Sequence, residues 1–149
     1  MISLIKDKVN YVIKKYGTRD PFRIAKEKGI LIMYEDLGSI QGYYTMRFRT
    51  KQIHINRNIP HHLQEFTAAH ELGHAILHPN ENTPFLKNCT LQVVDKLEIE
   101  ANKFAVELLI PDSDIEEYSG SSLTIEQIAR IYGYTTELLK LKESLYNGF

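Results

Sequence analysis

The chain has 149 residues, with 18 Lys and Arg set against 19 Asp and Glu for a net charge of −1. That length suits one domain with its own core, and the near-neutral balance supplies no basic groove for nucleic acid or anionic lipid. No stretch approaches the roughly 18 apolar residues of a membrane span, the opening MISLIKDKVNYVIKK lacks a signal peptide's apolar run, and Cys89 is alone, so a cytoplasmic protein with an ordinary free thiol is expected.

Ile2, Ile5, Val9, Val12, Ile13 and Tyr16 recur at helical spacing up to Gly17, which predicts an amphipathic first helix. Asp20-Pro21 supplies an N-cap and a first-turn proline for a short helix through Ala25, ending at Gly29. The period then changes. Ile30 to Tyr34 is branched and apolar, Gln41 to Phe48 is rich in Tyr, Thr and Phe, and Gln52 to Asn56 alternates, which predicts three strands in a small antiparallel sheet. Pro60 opens a helix that His78-Pro79 closes, and a second long helix runs from about Leu91 to Ile110, stopped by Pro111. Between them Pro79 to Thr90 is polar and turn-forming, a loop able to act as a lid. Thr124 and Gln127 have capping-box spacing for a helix ending at Gly133, and a last helix starts near Thr135 or Thr136 with Leu138, Leu139, Leu141 and Leu145.

Residues 70 to 78 read HELGHAILH. His70 and His74 stand four apart, about 40° of rotation and one turn of rise on a helix, so both rings reach one metal ion. Leu63, Phe66, Gly73 and Leu77 share their arc, so the pair faces inward. Glu71 lies about 100° round from His70, beside the position of a metal-bound water. A catalytic zinc site takes three protein ligands and leaves one position open, so a third ligand is required.

The next helix offers Glu98 and Glu100. Leu91, Val94, Asn102, Ala105 and Leu109 fall within about 40° of Glu98, which places it on the apolar face, where a carboxylate needs a compensating cation or hydrogen bonds. Glu100 falls about 200° away among Lys96, Lys103 and Glu107, where ion pairing accounts for it. Glu98 is therefore the expected third ligand, with Asn102 one turn on placed to orient it or a histidine. In this arrangement zinc lowers the pKa of its water, and Glu71 accepts the proton and passes it to the leaving amine, the chemistry of peptide hydrolysis. Tyr43, Tyr44, His54, His78 and Tyr118 are candidates for stabilising the oxyanion. His78 also repeats the i+4 step as a fourth ligand or, before Pro79, as a partner for the helix-end carbonyls; His61 and His62 belong in solvent. If the His54 strand is a sheet edge, a substrate can pair with it.

HELGHAILH together with Glu98-x-x-Ala101-Asn102-x-Phe104-Ala105-x-x-Leu108-Leu109-x-Pro111 resembles the ImmA/IrrE family of metallo-endopeptidases along almost the whole chain. The resemblance implies an α+β, zincin-like (minimal gluzincin) fold, one Zn2+ on His70, His74 and Glu98, and Glu71 as the catalytic base. It implies as substrate a helix-turn-helix repressor of a phage or integrative element, cleaved to derepress its genes, with this chain the compact form of the family. Two other readings stand beside it. Ala129-x-x-x-Gly133 has helix-turn-helix spacing, but the following helix carries Leu138, Leu139, Leu141, Glu137 and Glu143 and few side chains suited to bases or phosphates, so packing against the core is expected there. The other is a metal-bearing protein that controls a repressor by binding it.

Overall fold

The structure, a computed structural model, describes residues 2–81 and 91–148, with the side chains of 2–3 and 91–95 outside the description. Among the described residues the order is α1 (Ile2–Tyr16), α2 (Pro21–Glu27), β1 (Leu31–Glu35), β2 (Gly42–Arg47), β3 (Thr50–Asn56), α3 (His61–Leu77), α4 (Leu91–Leu109), α5 (Asp112–Ser119), α6 (Ile125–Tyr132) and α7 (Thr136–Asn147). The expected lid falls largely on 82–90, with Cys89, and lies outside the described residues.

Local signals act where the sequence places them. The Asp20 carboxylate accepts from the Phe22 N–H with Pro21 in the first turn of α2. Thr124 and Gln127 close both bonds of the capping box, and Gly133 ends α6 at φ 77°, in the left-handed region where glycine carries no Cβ penalty. α5 was not anticipated. It buries none of its residues, so it has no apolar stripe for periodicity to detect.

The sheet corrects the antiparallel expectation: its order is β1-β3-β2. β2 and β3 form an antiparallel hairpin, whereas β1 pairs parallel with β3. Phe48 and Arg49 turn the hairpin at φ 50° and 65°, the positive values that a two-residue primed turn requires. β3 takes the centre because Ile53, His54, Ile55 and Asn56 are all buried, covered on both faces as a central strand is. The β1–β2 connection therefore crosses the end of β3. Asn56 holds it there, its Nδ2 donating to Gly38 O at 3.0 Å and Ile40 O at 2.9 Å and its backbone N–H to Gln41 O.

One core cluster gathers Val9 and Val12 of α1, Ile24 of α2, Tyr44, Ile53 and Ile55 of the sheet, Leu72 of α3 and Phe104 and Leu108 of α4. α3 and α4 touch closely at Gly73, where a Cβ would stand 3.0 Å from Phe104 Cβ and 3.2 Å from Cγ. Gly73→Val would drive two more methyls into that contact, and overpacking of this kind costs about 1–3 kcal/mol. Urea unfolding is expected to show that loss as a lower midpoint with an unchanged slope.

A second cluster joins Val106 of α4 and Ile110 just beyond its end to Ala129, Leu139 and Leu145, so the C-terminal helices pack on the body of the protein. Glu107, grouped by helical phase with the charged residues around Glu100, is buried. α7 covers that flank of α4, and the buried Lys142 ammonium lies 2.8 Å from Glu107 Oε1 and 2.6 Å from Asp112 Oδ1. Lys6 of α1 reaches Asp112 Oδ2 at 3.2 Å and Glu107 Oε2 at 3.7 Å. Four helices meet on this charge cluster.

Candidate metal centre

Helical spacing brings the two imidazoles of α3 to one side, their ring centroids 4.9 Å apart. From α4, the Glu98 carboxylate faces both. Its Oε2 lies 2.9 Å from His70 Nε2 and its Oε1 lies 3.0 Å from His74 Nε2. Glu71 is buried, with Oε2 3.9 Å from His70 Nε2. The Glu98 side chain is 40% exposed, more open than its apolar arc suggested, because that part of α4 looks across a cavity instead of into the core. The cavity, about 300 Å³, is lined by Gln41, Gly42, Phe66, Thr67, His70, Glu71, Glu98 and Asn102. Gly42 lets β2 approach α3, since a Cβ there would fall 2.5 Å from both Thr67 Cγ2 and His54 O.

Behind the histidines, each Nδ1 has a partner. His70 Nδ1 lies 2.8 Å from Asn102 Oδ1, the orienting contact expected of Asn102, and His74 Nδ1 lies 3.2 Å from His78 Nδ1. Asn102 Oδ1 is an acceptor, so His70 carries its proton on Nδ1 and, when neutral, presents a bare Nε2 lone pair. Electron-rich atoms then converge on one point, and only a proton or a cation compensates such a group. Where a proton does so, burial of His70 opposes its charging, but the Glu98 hydrogen bond and the Glu71 and Glu98 charges outweigh burial and raise its pKa. For His74 burial dominates, aided by the neighbouring His70 and His78, and lowers its pKa. Burial opposes ionisation of Glu98 as well, yet the two histidines hold its carboxyl well below the usual range. The donor set fits a divalent metal: two imidazoles with their back nitrogens occupied and an ionised carboxylate are the ligand types of zinc sites. Glu71 belongs to the same neighbourhood, its carboxylate and the two imidazoles offering atoms within 4.8 Å of one another.

The remaining candidates lie elsewhere. Tyr43 stacks on His54 with centroids 4.3 Å apart, and His54 Nδ1 is 2.7 Å from Glu35 Oε1. Tyr44 is buried, its hydroxyl donating to Pro79 O at 2.8 Å. Tyr118 of α5 packs edge-on against Tyr132. None of these lines the cavity. His78 stands at the back of His74, with its Nδ1 3.2 Å from His74 Nδ1. Its Nε2 instead lies 3.1 Å from Glu100 Oε1, so Glu100 is engaged with a histidine and not with the lysines of its own helix. β3 is the central strand, so the sheet edges belong to β1 and β2 rather than to the strand of His54. His61 and His62 are exposed, as expected. Sequence reasoning missed Gln41, Gly42 and Thr67 as cavity walls, since only the tertiary approach of β2 to α3 reveals them.

Residues 25–142 match the model of the IrrE N-terminal-like domain, Peptidase M78. The chain is 44% identical over 142 residues to immunity region protein 2 of Bacillus phage phi105, covering 95% of this chain and 90% of that protein. It is 38% identical over 149 residues to the metallopeptidase ImmA of Bacillus subtilis strain 168, covering 97% and 87%. A solved Mycobacterium tuberculosis transcriptional regulator shares the fold, with a TM-score of 0.61 over 94% of this chain at 14% identity; the chain spans 46% of that structure's length. No described helix is long and apolar enough to cross a membrane. With the family domain matched across most of its length and a metallopeptidase among its close relatives, the chain belongs to the ImmA/IrrE family of metallopeptidases.

Proposed function

We propose that the chain is a zinc-dependent endopeptidase of the HExxH type that cleaves a helix-turn-helix repressor of a phage or mobile element, acting in the cytoplasm where that repressor works. The observation that carries the reading is the approach of both Glu98 oxygens to the two Nε2 atoms at 2.9 and 3.0 Å. Two imidazole nitrogens and a carboxylate that converge in this way are the ligand types that would hold a zinc ion. Glu71 is the poorer third ligand at 3.9 Å and is left for proton transfer.

When bound, zinc acidifies a water and polarises the scissile carbonyl. The protein's own groups do the rest. Glu71 Oε2, buried beside His70, takes the proton of the attacking water and hands it to the leaving nitrogen. Asn102 keeps the His70 ring in the ligating orientation. The outer edge of β2, an edge strand among the described residues that enters the cavity wall at Gly42, offers backbone groups to an extended substrate segment. The similarity to a phage immunity region protein supports a phage-borne repressor as the substrate.

Incubating the purified, zinc-loaded protein with the helix-turn-helix protein encoded beside its gene tests this. Discrete fragments are expected, and a chelator is expected to suppress them until zinc is restored. An intact repressor with the loaded protein would refute the substrate assignment.

A further inference from the structure

Two groups near the centre have no part in this chemistry. His78 closes α3 at φ −135° and ψ 57°, outside helical geometry, which turns its ring back on His74. Its Nδ1 lies 3.2 Å from His74 Nδ1 and its Nε2 lies 3.1 Å from Glu100 Oε1. The His78 side chain is 9% exposed and that of Glu100 is 24% exposed.

We infer that Glu100 and His78 are positioning residues that fix the tautomer of His74 for metal binding. A carboxylate only accepts hydrogen bonds, so Glu100 selects the His78 tautomer with its proton on Nε2. Neutral His78 then turns a lone pair on Nδ1 toward His74. That lone pair accepts from His74 Nδ1–H, and a neutral His74 protonated on Nδ1 has a bare Nε2 pointing at Glu98. Each bond determines the next, and the opposite tautomer of His74 would set two lone pairs against each other somewhere along the chain. Metal-ligating histidines usually give this proton to a carboxylate, a carbonyl or water; here a second histidine stands between the ligand and its carboxylate. His70 reaches the same state directly through Asn102.

The inference rests on His74 being a metal ligand, and the test separates the two. Zinc affinity is measured by competition with a chromophoric chelator for the full chain and for His78→Ala, His78→Gln, Glu100→Ala and Glu100→Gln, alongside the visible spectrum of each Co2+-loaded protein. His78→Ala and Glu100→Ala are expected to weaken zinc about 10- to 100-fold and to shift the cobalt bands. His78→Gln is expected to stay near wild type, because its amide oxygen can accept from His74 Nδ1–H while its N–H donates to Glu100. Glu100→Gln keeps an acceptor and is likewise expected to hold zinc. Wild-type affinity and spectrum in both alanine variants would overturn the inference alone, as would equal losses in the alanine and glutamine variants of His78. Should His78→Ala fail to fold, the partly exposed Glu100→Ala decides. A wild-type chain that binds no zinc would overturn the ligand assignment and the inference together.

Discussion

Glu71→Gln is expected to abolish repressor cleavage while the protein keeps its full zinc content. The amide preserves the shape of the side chain but cannot take a proton from water, and a positioned general base contributes about 10²–10⁴-fold to a rate. A fall of about 10³-fold in kcat/KM is expected, with KM little changed, since the substitution leaves the proposed substrate contacts along β2 and the cavity untouched. Glu98→Ala should fail in another way, losing the metal itself. A protein that regulated its repressor by binding alone would behave differently: Glu71→Gln would leave its effect on the repressor intact. Measuring fragment formation and bound metal on the same preparation separates these outcomes.

Lys142→Met is expected to cost about 3–5 kcal/mol of stability, the range for breaking a buried ion pair from one side. The Lys142 side chain is fully buried and that of Glu107 is 5% exposed, so removing the ammonium strands a carboxylate whose other cation, Lys6, stands 3.7 Å away. Pairing the change with Glu107→Leu should recover much of the loss, because hydrophobic replacement of a whole buried pair is often neutral. Urea midpoints of the single and double variants test both statements, and a single variant as stable as wild type would contradict them. The cluster also gives an acid sensitivity. Burial opposes ionisation of Asp112, but Lys142 and Lys6 outweigh it and hold its carboxyl below the usual value. Its folded-state pKa is depressed, so the stabilisation is complete above about pH 5 and is lost as the pH falls through the folded value. Lys142→Met should flatten that acid limb.

The helices other than α5 were legible because their signals are local: Asp20-Pro21, the Thr124–Gln127 box and Gly133 act within a few residues of where they stand. Half the site was legible for the same reason, since four-residue spacing on α3 and helical phase on α4 are enough to set His70, His74, Glu98 and Asn102 together. What escaped depends on neighbours that a helical wheel does not contain. Phase assigned Glu100 to ion pairing within its own helix, but His78 leaves helical geometry and reaches it. Glu107 shares that charged face by phase, but α7 covers it and supplies its partner Lys142. Strand order is likewise non-local, and the six residues between β1 and β2 carry no mark that they cross the end of β3. Side-chain direction was likewise not legible: alternation along β2 sets Tyr43 against His54 and turns Tyr44 into the core.

The identity of the metal ligands is tested most directly by an anomalous difference map at the zinc edge from crystals of the zinc-loaded protein. One peak per chain is expected, bonded at about 2.0–2.2 Å to His70 Nε2, His74 Nε2 and a Glu98 oxygen, with the Glu71 carboxylate outside bonding distance. A peak ligated by Glu71 in place of Glu98, or no peak between α3 and α4, would contradict the account.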